Sequence, residues 1–307
     1  MKHRQLLIAL SLVLGFFLLN CTGDDNNELS IEAPVSIHFN GSPYRLNTKA
    51  IHRESTMPTD QPIGIYGWGH KVSESAPLVA RQDLTNQAYT TEDGTSYISK
   101  VDAHFPVAAD TVIDFYAYYP YQASLNGTKA TYDLKDQIDI MWATPILNKG
   151  KMDVQTDSDN SSATVALSFN HQLSAITIII KKADDIKETL SLQKVELLKY
   201  SPSITMDIKT GTLSTTGTMT DYLLPTAPVT ITPKEATVLS DYMLYPGETP
   251  TFRFTISDHL YEVKPAQAFM TGKLQKYIFT IQAENINVSA AINPWANGPD
   301  GSGEIGI

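Results

Sequence analysis

The chain has 307 residues, 42% of them apolar, and a formal net charge of −10 from 33 acidic against 23 basic side chains. So acidic a chain is a poor partner for nucleic acid, whose phosphates require a positive surface, and its single cysteine excludes an intramolecular disulfide. The length suggests two domains, and 15 Tyr with abundant Thr favour strands over helices.

Met1-Lys2-His3-Arg4 places two fixed positive charges ahead of an apolar run from Leu6 to Leu19. The run is shorter than the roughly 20 residues that span a bilayer, and a charged start with a short apolar core reads as a secretory signal over residues 1–20. Leu18-Leu19-Asn20-Cys21 resembles a bacterial lipobox, with Asn20 where a smaller residue is usual. Lipidation of Cys21 would explain a lone thiol in an oxidising compartment and would hold the chain to outer-membrane lipid. Loss of Lys2 and Arg4 leaves 21 basic against 33 acidic residues, a mature charge of −12. Residues 21–30 are polar and acidic, without hydrophobic periodicity, and read as a flexible tether.

Val35, Ile37 and Phe39 alternate with Ser36, His38 and Asn40, the pattern of a strand with one buried face. Residues 41–62 lose the pattern and carry Arg45, Lys49 and Arg53. Ile63–Trp68 is a short apolar strand, and Asp93-Gly94 marks a turn. In Asp114–Tyr121 the side chains of Phe115, Ala117, Tyr119 and Tyr121 would point one way and Tyr116 and Tyr118 the other, so both faces should be covered, or one covered and the other near a surface groove; Pro120 should end the ladder or place it at an edge. Asp139–Ala143 follows as a short strand. Ala163–Ile180 carries the strongest β signal, alternating at Val165, Leu167 and Phe169 and then continuously β-branched from Ile176 to Ile180, as in a strand buried on both faces. Lys181–Glu188 is charged and reads as a short helix or linker. The domain boundary is placed there, giving domains at 31–182 and 183–307. The second half repeats the theme, with strands expected at 194–199, 203–208, 221–224, 229–232, 241–245, 251–257, 259–264, 277–284 and 287–292. Short strands at intervals of about 8–12 residues point to sandwiches or barrels.

Catalytic signatures are missing: the sequence contains no GxSxG elbow, HExxH pair or Walker loop. His171 reads as a hydrogen-bonded structural residue. Asp157–Asn160 and Asp300–Glu304 could offer loop oxygens to Ca²⁺, but neither has the full EF-hand pattern, and no metal or cofactor is expected. Trp68, Trp142 and Trp295 could stack on sugars, which keeps a surface glycan-binding lipoprotein as the alternative function.

Several segments, in order, resemble fimbrillin-like proteins of Bacteroidales: Ile63–Trp68, Phe115–Tyr121, Asp139–Ala143, Leu167–Ser174, Gly272-Lys273 before Tyr277–Ile281, and Asn293-Pro294-Trp295. The resemblance implies an all-β chain of two tandem transthyretin-like Greek-key β-sandwich domains and a role as a non-enzymatic subunit of surface fimbriae in adhesion and biofilm formation. It implies as partners other fimbrial subunits and a processing protease that cuts after a basic residue near the N-terminus. The released strand would carry Val35, Ile37 and Phe39. The cut would fall at Lys49, where the family often has Arg, or at Arg45 or Arg53. Main-chain pairing with an incoming strand would refill the groove. Ile286, Val288, Ala290 and Ile292 form a candidate donor strand, which could equally belong permanently to its own sheet. The short Gly-rich tail from Gly298 to Ile307 favours an anchor, tip or minor subunit.

Overall fold

The computed structural model of the chain describes residues 34–43, 56–74, 79–80, 84–151, 153, 155–156, 162–283 and 285–294. Cys21, Arg45, Lys49, Arg53, Trp295 and the two acidic loops lie outside them. Among the described residues the regular elements are β-strands and short 3₁₀ turns, as expected of an all-β chain.

The first half forms a ten-stranded sheet. Its main path runs Val79–Ala80, Ile63–Lys71, Thr111–Tyr119, Met141–Ala143, Ser162–His171, Ser36–Pro43, Ser96–Tyr97. The alternation at Val165, Leu167 and Phe169 is realised: all three are buried in one cluster with Val35, Ile37 and Phe39. Thr111–Tyr119 is covered on both faces, and its two faces serve different cores. Ile113, Phe115, Ala117 and Tyr119 belong to the first cluster, while Tyr116 and Tyr118 belong to a second cluster shared with the C-terminal half. The strand stops before Pro120, which has no N–H for the ladder. The alternation stops there too, so Tyr121 packs on the second cluster instead of joining Phe115 and Ala117.

The second half is a β-sandwich. One sheet has the order Ala236–Leu244, Ser174–Lys182, Lys273–Ile281, Ile286–Pro294; the other Thr220–Leu223, Leu190–Tyr200, Phe252–Ile256, His259–Val263. Inward-facing rings join the sheets, with Phe279 4.6 Å from Phe254 and 5.2 Å from Phe252 between centroids. Face-to-face sheets interdigitate their inner side chains in this way. Ser174–Lys182 runs parallel to Lys273–Ile281 through nine partners. It is enclosed by C-terminal strands, which explains its unbroken β-branched run. Residues 183–189 then form an irregular link, not a helix.

A strand with only a weak sequence signal joins the halves. Lys129–Asp133 pairs with Ser203–Asp207 over five partners. Gln137 adds two bonds, accepting from the Met243 N–H at 2.8 Å and donating to the Met243 carbonyl at 3.1 Å.

Two buried His–Asp pairs link segments distant in sequence. His171 Nδ1 lies 2.6 Å from Asp139 Oδ2, with both side chains buried, and this is the structural hydrogen bond expected of His171. His70 Nε2 lies 3.2 Å from Asp114 Oδ1 and its Nδ1 3.0 Å from the Lys71 carbonyl. Both ring nitrogens of His70 therefore face acceptors, which suits the imidazolium. Burial opposes the charge, but the Asp114 hydrogen bond, the Lys71 carbonyl and the charges of Asp114 and Glu74 outweigh it and raise the pKa above 6.5. A raised folded pKa contributes stability in full below the unfolded value and loses it as pH rises through the folded value. Urea denaturation of the wild type and His70→Gln should thus differ most below about pH 6.5 and converge at alkaline pH; a gap that widens with pH would contradict the assignment.

Candidate functional site

The site is built around Ser36–Pro43. This strand runs parallel to Ser162–His171, in register from Ser36↔Ser162 to Pro43↔Phe169 without a break. Period two places Ile37, Phe39, Gly41 and Pro43 in the inner row, beside Ala163, Val165, Leu167 and Phe169. Phe39 is the anchor. Its ring meets Tyr89 at 5.1 Å and Phe115 at 5.4 Å, both edge-on. Gly41 permits the close approach to the neighbouring strand: a Cβ there would lie 2.4 Å from the Leu167 carbonyl oxygen.

The other edge is held differently. Among the described residues the ladder there consists of Phe39↔Tyr97 and Asn40↔Ser96. Beyond it an isolated antiparallel bridge, Ser36↔His104, is closed by the Ile37 N–H donating to Ala103 O at 2.7 Å and the Phe105 N–H to Val35 O at 2.8 Å, and the Gly41 N–H donates to Thr95 O at 2.8 Å. The expected turn at Asp93-Gly94 fixes this edge. Asp93 Oδ1 accepts from the Thr95 and Ser96 N–H groups at 2.7 and 2.6 Å, and these bonds hold its carboxyl well below the usual carboxylate range. Gly94 supplies the positive φ of 72°.

Val35, Ile37 and Phe39 are 8%, 4% and 2% exposed. Burying each contributes roughly 1.5–3 kcal/mol. Together that is comparable with the roughly 5–15 kcal/mol net stability of a whole domain. The strand is thus integral to the first core, and its loss would uncover an apolar groove. The chemistry of the site is that of β-pairing and apolar pockets. Among the described residues no group of three or more His, Cys, Asp or Glu side chains is placed to hold a metal.

The other singled-out residues fall elsewhere. Trp68 is buried, stacked on Tyr66 at 4.0 Å with Lys209 Nζ 4.4 Å from its ring centroid. The Trp142 indole N–H donates to Ile208 O at 2.8 Å, and its ring lies against Gly211. Both rings are engaged in packing between the halves. Ile286, Val288, Ala290 and Ile292 lie on the edge strand of the four-stranded sheet, paired to Lys273–Ile281 through nine partners. They are half-buried, and the first three pack on the second core. The sequence reading missed Ser96–Tyr97, Phe105 and Tyr89 as groove walls. The only local signal was the Asp93-Gly94 turn.

The family model described as fimbrillin-like matches residues 48–295. Among solved structures, a candidate cell adhesion protein of Bacteroides uniformis is 21% identical, with 87% of this chain and 99% of that one covered and a TM-score of 0.57. A second, from Bacteroides ovatus, is 17% identical over 87% and 99%, with a TM-score of 0.54. A fimbrial protein of Bacteroides vulgatus is 13% identical over 84% and 99%, with a TM-score of 0.51. At these identities the likeness speaks for the fold alone. No curated protein matches the chain.

Proposed function

The chain belongs to the fimbrillin-like family, and on that premise we propose that it is a non-enzymatic structural subunit of a cell-surface fimbrium, an anchor, tip or minor component, assembled by strand exchange. The observation that carries this reading is the Ser36–Pro43 strand. It completes the first core with three buried side chains, and it leads directly into the segment with Arg45, Lys49 and Arg53. A cut after any of these basic residues separates the strand from the body of the fold. A strand from another subunit then pairs with Ser162–His171 and fills the vacated pockets, the general logic of β-strand addition. Ile286, Val288, Ala290 and Ile292 are the proposed donor residues. They sit on an edge strand, paired on one side only in the sheet order, so their transfer would leave the rest of that sheet continuous.

The proposal extends to Cys21. Lipidated there, the precursor is held to the outer membrane, and the cut releases the lipid together with the first strand. The anchor is then temporary, and processing couples release to assembly. Tandem transthyretin-like Greek-key organisation and a part in adhesion and biofilm formation belong to the same proposal.

The test is incubation of the mature chain with an Arg- and Lys-specific protease. The body should begin at Leu46, Ala50 or Glu54 by N-terminal sequencing, and the trimmed protein should assemble into fibres with partner subunits. A trimmed protein that stays monomeric alone and with those subunits would overturn strand exchange.

A further inference from the structure

An opening of about 370 Å³ lies beside the Ser36–Pro43 strand, between it and the 96–103 segment. We propose that this opening is the foothold at which an incoming β-strand begins to displace the first strand; the inference rests on the strand-exchange reading above. Three observations carry it. The first is the unequal strength of the two edges. Towards Ser162–His171 all eight residues of the strand have partners. On the other side the ladder stops at Phe39↔Tyr97, and pairing resumes at the isolated bridge Ser36↔His104, with the Ile37 N–H bond to Ala103 O. Between them the chain from Ile98 to Asp102 leaves the strand, and the opening occupies that gap. An invader therefore meets the strand at a break in the pairing of this edge.

The second observation is the character of the walls. Ile37 and Phe39, two of the three anchors, line the opening on the side of the strand to be displaced. At the opposite rim stand Ile98 and Val101, apolar side chains 59% and 39% exposed to water. Asp102 is the one formally charged carboxylate along the lining, and hydroxyl and amide groups make up most of its other polar part. Such walls suit an extended segment with apolar residues at alternate positions, the same pattern as Val35, Ile37 and Phe39. An anionic ligand would find no Lys or Arg along the lining.

The third observation is continuity. Ile37, Phe39, Tyr89 and Tyr97 border the opening and also belong to the core cluster that the strand completes. An apolar side chain seated beside Phe39 would be in place to follow as Phe39 withdraws. Exchange by this route never leaves the groove empty, whereas release before capture would uncover the core to water and offer an unfilled sheet edge to aggregation.

The order of the kinetics decides the matter. The full mature chain is cut once between residues 44 and 55, at a protease-recognition sequence introduced there, and mixed with a fluorescent peptide of residues 33–43. If the opening is the foothold, the exchange rate rises in proportion to peptide concentration. Ser99→Trp, which fills the opening, and separately Val101→Asp, which makes its rim polar, each slow exchange about tenfold, the loss expected for one contact, with unchanged melting of the uncut protein. A rate independent of peptide concentration, or wild-type rates in both variants, overturns the foothold while leaving strand exchange standing. No exchange at any concentration overturns strand exchange itself, and the foothold with it.

Discussion

Phe39→Ala is expected to destabilise the uncut protein by about 3–5 kcal/mol, the range for removing a fully buried aromatic ring from a core. The ring is 2% exposed and sits between Tyr89 and Phe115, edge-on to both. Those partners are held by other strands, Gln87–Tyr89 and Thr111–Tyr119, so they cannot readily collapse into the space. A site that cannot relax keeps the cavity, and the cost rises with the volume kept. Edge-to-face contacts add about 0.5–1.5 kcal/mol for each aromatic pair beyond the burial of area. Asn40→Ala is the control: its side chain points outward from the same strand, and it should fall within about 0.5 kcal/mol of wild type. Urea denaturation measures both. A loss under about 1 kcal/mol for Phe39→Ala would mean that the strand does not anchor the first core, against the burial described above. The same substitution should weaken the grip of the groove after cleavage, so the cut Phe39→Ala strand should separate from the body during size-exclusion chromatography under conditions that retain the wild-type strand.

Gly41→Val should be as damaging for a different reason. At Gly41 a Cβ would stand 2.4 Å from the Leu167 carbonyl oxygen and 2.8 Å from the Leu167 Cβ. The obstruction is backbone and the first side-chain atom, so no change of rotamer relieves it. The two strands must part around the Gly41↔Leu167 position, in the middle of a ladder that supplies the whole of one edge. Overpacking of a tight core costs about 1–3 kcal/mol, and the broken pairing adds to it, about 0.5–1.5 kcal/mol for each hydrogen bond lost. The expected result is a lower melting temperature and early proteolysis at the N-terminal strand. Ser42→Val, one residue on and in the outer row, should be tolerated. A melting shift for Gly41→Val under about 2 °C, equivalent to less than about 1 kcal/mol for a chain of this size, would show that the parallel ladder is not as close as described.

The two predictions separate what a reader of the sequence could see from what only the fold decides. Alternation at Val35, Ile37 and Phe39 was sufficient to identify the buried face of the first strand, because side chains of a strand point to opposite faces with period two whatever the partner. The same rule identified the inner row at Val165, Leu167 and Phe169, and in Asp114–Tyr121 it separated the face of Phe115, Ala117 and Tyr119 from that of Tyr116 and Tyr118. The unbroken run from Ile176 to Ile180 likewise reported burial on both faces. Absence of catalytic motifs and order of the fimbrillin-like segments were also legible, since both are properties of residues along the chain.

Pairing was not legible. The eight partners of the first strand are about 126 residues away in sequence (Ser36 with Ser162 through Pro43 with Phe169), and no local pattern states which edge a strand will join, or in which direction, because backbone hydrogen bonds are the same for every sequence. For the same reason Lys129–Asp133 was passed over. Its alternation of Ala130 and Tyr132 spans only five residues, and it is a strand because Ser203–Asp207 supplies the partner. The His70–Asp114 and His171–Asp139 pairs join residues 44 and 32 positions apart, a proximity created by folding. By itself, then, the sequence determined which side chains of the chain seek burial, that they do so on strands, and to which family the chain is similar. The tertiary structure alone decided that the first strand lies parallel to Ser162–His171, that a Cβ at position 41 would collide with Leu167, and that the other edge of the groove is left partly open, because each depends on segments brought together across the whole fold.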